Sequence, residues 1–430
     1  MSKKEEKNEG KTPPMLYAEP ESITYDLLDI SNFKIQHIEN LKITQAINEH
    51  AKLEFTARLD EEEKNLPVFT TLTYSKVEVS FRADDTKDAL SKCLFNGIVT
   101  YVAVTTQSGI NYIHVTALSN TYLLDIYKVD VSYQNTESSY KNLVKKVLKR
   151  TEKAEAKFVE ASNKSVGEFV LQYKETDWEF IKRIASKFYE GLYPDCRNKD
   201  PKFYFGLNTK DEVEEINVLE YSTVKRIQEY QVNSSNYIKG VKESDYIEYQ
   251  IKSKKMRFIG DKIKFQKHIF YIKYAVYTME HGILVAYYCI SPKNGLRQNR
   301  IYNESIKGIS LNGKVAQVVR DKVKIGLDIE KNKGSGYLFP YSTIAASPDG
   351  SGWYCMPEVG DYVRVYFPDE KERHCYAISS ISGYTTESTG GEADKMADPN
   401  VKYLSTKSGM TIDMWIVVMI SNILRDILKS

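Results

Sequence analysis

The stretch QYKETDWEFIKRIASKFYEGLYPD, residues 172–195, decides how the rest of the chain is read. Thr176 and Glu179 form an S/T-x-x-E capping box: the threonine hydroxyl accepts from the third helical amide and the glutamate reaches back to the cap amide. Trp178, Ile181, Ala185 and Phe188 recur at helical spacing and make one wide apolar stripe. Gly191 stands where a left-handed helix C-cap costs least. The spacing therefore predicts a strongly specified helix, yet the sequence on either side of it reads as β-strand.

Upstream, from about residue 22 to 125, the runs SNFKIQHI, LKITQAI, AKLEFTARL, KVEVSFRA, LFNGIVTYVAVTTQ and NYIHVTALS follow one another. In KLEFTARL the alternation puts Leu53, Phe55, Ala57 and Leu59 on one face, and SGIN marks a turn. Between about 136 and 215 the pattern changes. SSYKNLVKKVLKR carries Leu143, Val144, Val147 and Leu148 at helical spacing, ASNKSVGEFVLQY reads as linker plus strand, and PKFYFGL as a strand. From 216 to 304 β patterns resume in YSTVKRIQEYQV, YIKGVKESDYIEYQIKS and GDKIKFQKHIFYIKYAVYTMEHGILVAYYCI. A further block, 305–385, offers two strands joined near Arg320-Asp321 and three more in GSGWYCMPEVGDYVRVYFPDEKERHCYAISSIS. Five short strands in so compact a block fit a small Greek-key barrel of the OB type.

The expected fold class is thus mainly β with a helical insert (α+β): two β-barrels followed by an OB-type Greek-key barrel. The expected organisation is a disordered arm (1–21), a first barrel (22–135), an α/β insert with two helices (136–215), a second barrel (216–304) and the OB-type block (305–385). A linker, a short hairpin within 401–414 and an amphipathic helix fill 386–430. The barrel–insert–barrel order suggests two related modules.

Composition narrows the function classes. Lys and Arg number 60 against 58 Asp and Glu, so the chain carries no strong electrostatic footprint for nucleic acid or an anionic membrane. The 32 tyrosines suit strands and large half-buried surfaces, because the ring buries area while the hydroxyl stays hydrated. Five cysteines (93, 196, 289, 355, 375) lie scattered without a CxxC pair, which points to reduced, mostly buried thiols. The start, MSKKEEKNEGKTPP, lacks the apolar core of a secretory signal, and no apolar run has the length of a membrane span. Synthesis in the cytoplasm, with later transport by other machinery, is the expectation.

Residue types that carry chemistry do not converge. The six histidines (37, 50, 114, 268, 281, 374) form no HxxxH or HExxH pair. Asp60-Glu61-Glu62-Glu63 and the cluster Asp211, Glu212, Glu214, Glu215 read as solvated loops, whereas glycoside hydrolysis needs two carboxylates facing across a cleft. The glycines of 334–337 and 350–352 lack the lysine and helix of a phosphate loop. Tyr362, Arg364 and Tyr366 interleave aromatic and basic groups, but residues 305–385 hold ten Lys/Arg against nine Asp/Glu, which gives no basic funnel for a single strand. No catalytic residue, metal ligand or cofactor site is expected.

Two patches resemble a known family. Glu175-Thr176-Asp177-Trp178, Phe180, Arg183-Ile184-Ala185 and Glu190-Gly191-Leu192-Tyr193 resemble a recurrent signature of the VgrG and phage late-control protein D hub proteins of contractile injection machines. Gly352-Trp353-Tyr354, Met356-Pro357, Val359-Gly360-Asp361, Val363, Val365 and Phe367 resemble that family's OB-type domain, in which a tryptophan-containing strand precedes a proline, a Val-Gly-Asp/Glu turn and a hydrophobic strand. The resemblance runs over roughly 22–385. It implies a non-enzymatic homotrimeric hub whose two barrels per chain cap a sixfold inner tube, and whose OB-type domain leads to a spike. Partners would be the inner-tube protein and a spike-tip or effector/adaptor protein, with no nucleic acid and no stable membrane insertion. Glu175, Thr176, Asp177, Trp178, Phe180, Arg183, Gly191, Trp353, Pro357, Gly360 and Asp361 would be structural signature residues. The place of action would be the tip of the injection apparatus, with delivery outside the cell or into a target. Many relatives continue into a long triple-stranded β-helix; here one hairpin-like unit precedes the terminal helix, so a separate protein would supply the tip. An OB-type nucleic-acid-binding protein and a cell-wall hydrolase stand as the alternatives.

Overall fold

The computed structural model describes residues 20–82, 91–209, 212–329, 336–347 and 349–381, and the backbone of 403–405 and 411–413. The fold is mainly β. The first region contains β1 (Leu28–Ile30), β2 (Ile35–Ala46), β3 (Lys52–Leu59), a short helix α1 (Leu66–Thr70), β4 (Lys76–Arg82), β5 (Ser91–Gln107) and β6 (Ile110–Ser119). The insert holds β7 (Lys128–Tyr133), α2 (Tyr140–Leu148), β8 (Glu155–Phe158), β9 (Val170–Thr176), α3 (Asp177–Ser186), β10 (Leu192–Pro194) and β11 (Lys202–Phe205). Then come β12 (Glu214–Glu215), β13 (Glu220–Lys225), α4 (Ile227–Asn236), β14 (Ile247–Ser253), β15 (Lys262–Phe265), β16 (His268–Glu280) and β17 (Ile283–Ser291).

The two β regions that read as separate modules share one twelve-stranded sheet, ordered β1-β4-β5-β6-β3-β2-β16-β17-β14-β13, with β15 beside β16 and β12 beside β15. The seam is the antiparallel pairing of β2 with β16, from Tyr274 opposite Ala46 to Thr278 opposite Lys42. Alternation places Leu53, Phe55, Ala57 and Leu59 in the core, and one apolar cluster runs through both halves.

The halves repeat one another. Strands β2 to β6 lie in the spatial order 4-5-6-3-2, and β13 to β17 in the order 15-16-17-14-13. Each half has a two-residue hairpin turn with positive φ at both positions, Ser108-Gly109 and His281-Gly282, which the right-handed twist of the flanking strands favours. Both long hairpins also bulge at the same distance from their turns. Thr100 is the extra residue between Val99 and Tyr101, and Lys273 the extra residue between Ile272 and Tyr274.

One segment departs from its expected form. YSTVKRIQEYQV is a strand only to Lys225; Ile227–Asn236 is helix. Tyr230 and Asn233, three apart on a helix, reach Tyr246 together: the two rings lie 5.6 Å apart and Asn233 Nδ2 donates to Tyr246 Oη at 3.1 Å. That tertiary contact outweighs the strand-like alternation.

The third block is a five-stranded antiparallel sheet, β20-β19-β18-β21-β22, built from β18 (Ser310–Val319), β19 (Lys322–Leu327), β20 (Leu338–Pro340), β21 (Tyr362–Tyr366) and β22 (Tyr376–Ile381). Arg320, at φ 55°, turns the β18–β19 hairpin. The strand count agrees with expectation but one location does not. The Trp353 run forms only an isolated bridge, Gly352 to Ala346, and β20 takes the fifth place. Near the end, β23 (Tyr403–Ser405) pairs antiparallel with β24 (Thr411–Asp413), as the hairpin reading expects. The expected N-terminal arm, apart from its last two residues, and the C-terminal helix lie outside the described residues.

Candidate functional site: the joint between the sheets

Helix α3 sits where three parts of the molecule meet. Its capping box forms as read: Thr176 Oγ1 accepts from the Glu179 amide at 3.1 Å, and Glu179 Oε2 accepts from the Thr176 amide at 2.9 Å. Trp178, Ile181 and Ala185 are buried, with Phe188 packed against the same cluster. The indole of Trp178 lies edge-on to Phe203 at 5.3 Å and tilted against His50 at 4.7 Å, and its Nε1 donates to the Asn48 carbonyl at 3.0 Å. The first hydroxyl of α3 is also tied outward, since Thr176 Oγ1 donates to Asp125, whose other oxygen lies 3.2 Å from His50 Nε2. Burial raises the Asp125 pKa, but hydrogen bonds from His50 and Thr176 outweigh it and hold the carboxyl below its usual range.

Asn48, in the left-handed region at φ 70°, is the pivot on the large sheet. Its amide donates to the Leu192 carbonyl at 2.8 Å, its Oδ1 accepts from the Leu192 amide at 2.9 Å, and its Nδ2 donates to Gln298 Oε1 at 3.0 Å. The first half of the sheet, the insert and the chain leaving the second half are thereby joined at one turn.

The opposite side of α3 is tied to the five-stranded sheet. Arg183 is 2% exposed. Its Nε and Nη2 each reach a Glu175 oxygen at 2.7 Å, Nη1 reaches Glu372 Oε1 at 2.7 Å, and Nη2 also donates to the Leu171 carbonyl at 2.8 Å. The guanidinium also lies 5.2 Å from the ring centre of Phe180. Burial works against its charge, but Glu372 and Glu175 outweigh the loss of hydration, so the pKa rises further. Burial likewise opposes ionisation of Glu372, and Arg183 and Lys187 reverse that, holding its carboxyl below the ordinary value. Glu372 belongs to the third block, so this ion pair joins two regions 189 positions apart.

β9 makes the joint continuous. Strand alternation sends Val170 into the core of the insert, whereas Phe169 and Leu171 enter the core of the five-stranded sheet. Phe169 lies 5.1 Å from Phe339 and 6.1 Å from Phe367. Gln134 adds a polar clasp, donating to the Ile325 carbonyl at 3.1 Å and accepting from the Gly336 and Tyr337 amides. Asp177 stays on the insert side, paired with Arg150, which also reaches Tyr133 and Gln172.

The structure brings together Glu175, Thr176, Asp177, Trp178, Phe180, Arg183 and Gly191. Gly191 is there for a different reason from the one its position suggests. The left-handed residue after α3 is Tyr189, at φ 58°. Gly191 is required by close approach, because a Cβ there would stand 2.3 Å from Ile47 Cγ2. Pro357, Gly360 and Asp361 lie apart from that joint, in the turn that leads into β21, and Trp353 lies beside Ala345, whose carbonyl accepts from its amide at 2.8 Å. Gly360 has φ 98° and donates to the Val315 carbonyl at 2.8 Å, Asp361 Oδ2 caps the Glu358 amide at 2.8 Å, and Pro357 is buried. Trp353 is 45% exposed and does not enter the core. Glu372, Asn48, Asp125, Arg150 and Gln172 complete the joint and have no local signal. Glu372 lies in DEKERH, a run of charged residues between β21 and β22.

The joint is suited to holding elements in register rather than to chemistry: each of its ionised groups is paired and it presents no nucleophile beside a base in an open cleft. Among the described residues no group of three His, Cys, Asp or Glu is placed to hold a metal ion. No helix among them is long and apolar enough to cross a membrane. On β21, Tyr362 and Arg364 face outward while Val363 and Val365, with Phe367 just past the strand, are buried, which is ordinary sheet alternation.

No protein-family model matches the chain, and no curated protein matches it. Solved structures do. The E. coli c3393 protein, a component of the type VI secretion system with structural similarity to the T4 bacteriophage tail proteins gp27 and gp5, aligns with a TM-score of 0.56 at 14% identity, over 83% of this chain and 99% of that one. A chain of the half-lidded Francisella PdpA–VgrG complex aligns with a TM-score of 0.56 at 9% identity, over 90% and 82% of the two chains. The lidless PdpA–VgrG complex gives 0.54 at 9% identity, over 88% of each. At such identities the likeness is one of fold: the chain has the VgrG and tail-hub fold that its two sequence patches resemble.

Proposed function

We propose that the chain is a structural, non-enzymatic hub–spike component of a contractile injection machine, either a type VI-like secretion system or a phage-type tail. The observation that carries this reading is the repeated strand order of the two halves of the large sheet. Two equivalent units per chain, in three copies, offer six similar surfaces, which is what a threefold object needs in order to cap a sixfold tube. On this reading residues 22–135 and 216–304 are the two hub barrels and 136–215 the insert that braces them. Residues 305–385 are an OB-type barrel facing the spike, and 386–430 lead to a tip or effector/adaptor protein. Glu175, Thr176, Asp177, Trp178, Phe180, Arg183 and Gly191, with Trp353, Pro357, Gly360 and Asp361, act as structural residues. Assembly takes place in the cytoplasm, and action at the tip of the apparatus. The joint supports the mechanical part of the proposal, because the five-stranded unit is fastened through α3 and β9 to the large sheet.

Size-exclusion chromatography with light scattering on the full chain tests the proposal. A stable species of three times the chain mass is expected, together with capture of a purified inner-tube protein. A clean monomer at tens of micromolar that binds no tube protein overturns it.

A further inference from the structure

The repeat within the large sheet assigns a contact between copies. Superposing the two hairpins on their turns sets β5 on β16, with Tyr101 on Tyr274, Val102 on Ala275, Ala103 on Val276, Val104 on Tyr277 and Thr105 on Thr278. The neighbouring strands follow: through their pairing with β3 and β14, Leu41 corresponds to Tyr221, Ile43 to Thr223, Thr44 to Val224 and Gln45 to Lys225. Within the chain, β2 of the first half lies against β16 of the second, with Lys42 opposite Thr278, Ile43 opposite Tyr277, Thr44 opposite Val276 and Gln45 opposite Ala275.

The counterparts of those two strands have no such partner. β13 is the last strand of the sheet, and among the described residues nothing pairs with its outer edge. β5 pairs with β4 only as far as Ile98 opposite Lys76, and among the described residues no strand pairs with its edge from Tyr101 to Thr105 on that side. Burial records the same asymmetry. Leu41 and Ile43 in β2, and Ala275 and Tyr277 in β16, are fully buried, whereas Tyr221 is 54% exposed and Val102 and Val104 are only half-buried. A groove of about 380 Å3 runs beside the open edge of β5, walled by Leu72, Tyr74, Tyr101, Val102 and Tyr122. Ile227, the first residue of α4, two positions past the end of β13 and the counterpart of Ile47, is also exposed. An open strand edge flanked by exposed apolar side chains is a template for adding a strand.

We infer that β13 of one copy of this chain adds antiparallel to the free edge of β5 in the next copy, in the register that β2 and β16 use within the chain. Ser222 then faces Thr105 of the neighbouring copy, Thr223 faces Val104, Val224 faces Ala103 and Lys225 faces Val102, and Ile227 enters the groove beside Tyr101. The contact is head-to-tail, so it closes into a ring or runs on as a filament. With three copies, six like seams alternate within and between chains. The inference rests on the hub reading for the number of copies and on the internal repeat for the register.

The test is paired cysteines in the full chain. Thr223→Cys with Val104→Cys, oxidised under mild conditions, should give a covalent ladder ending at a closed trimer, and neither single variant should. A second arm uses charge: Val104→Glu and Thr223→Lys should each lose the oligomer, and the double variant should regain it, which misfolding of the singles would not allow. A trimer in which the two substituted positions form no disulfide between copies, or a double charge variant as monomeric as the singles, overturns this register and leaves the hub reading standing. A monomeric parent chain overturns both.

Discussion

Replacing Arg183 by alanine probes the joint directly. The guanidinium is buried and satisfies Glu175, Glu372 and the Leu171 carbonyl at once. Its removal leaves Glu372 buried against α3 with Lys187 as its nearest cation, at 4.0 Å, and Lys187 is already engaged by Glu168. Breaking a buried ion pair by deleting one partner costs about 3–5 kcal/mol, and the loss of the arm against Phe180 lies within that range. The pH dependence gives the sharper signature. In the intact protein the Glu372 carboxyl is held below its ordinary value, chiefly by Arg183 acting against burial, so its contribution to stability is present above the unfolded pKa and is lost as the pH falls through the folded one. Without Arg183, burial dominates and the Glu372 pKa rises, so the variant gains relative to the parent on going from pH 7.5 to pH 5. Urea unfolding of R183A and parent, followed by tryptophan fluorescence at four pH values, should show a gap that narrows toward acid. A gap independent of pH, or a cost below about 1 kcal/mol at pH 7.5, would refute the assignment of Arg183 as the pin between insert and five-stranded sheet.

Trp178→Ala should destabilise the fold by about 3–5 kcal/mol, since the ring is 1% exposed and holds the Asn48 carbonyl; an unchanged melting temperature would count against its bracing role. Gly191→Ala should cost about 1–3 kcal/mol by overpacking against Ile47, and Ile47→Ala in the same chain should recover part of it, measured as a shift in urea midpoint. Thr176→Ala should cost about 0.5–2 kcal/mol as a lost cap, with Thr176→Ser recovering most of it. Burial pushes the Cys289 thiol up to about 12, with Glu248 adding to the effect. At pH 8 it should therefore resist iodoacetamide in the native protein, while the exposed Cys355 is alkylated; mass spectrometry of the digested protein reads both.

Much of the fold was legible because its signals are local. The capping box and stripe of α3 need only residues within a few turns of one another, and the alternation of Leu53, Phe55, Ala57 and Leu59 needs only the two-residue period of a strand. The order of β region, helical insert, β region and small β block follows from where those periods change. Local signals failed where a distant partner decides. Ile227–Asn236 alternates like a strand but becomes helix because Tyr230 and Asn233 dock on Tyr246. Gly191 follows a helix and suggests a cap, yet its lack of a side chain serves Ile47, which is far away in the chain.

By itself the sequence determined most of the strands, the two helices of the insert, which faces are apolar and which family the two patches resemble, because backbone period and capping chemistry are written in neighbouring residues. Only the tertiary structure decided that the two β regions share one sheet and that β9 divides its side chains between two cores. It alone turned Glu372, in a loop of charges, into the partner of Arg183. Strand pairing and buried ion pairs join residues that the sequence keeps far apart, and neither hydrophobic period nor charge pattern records which distant group will complete them.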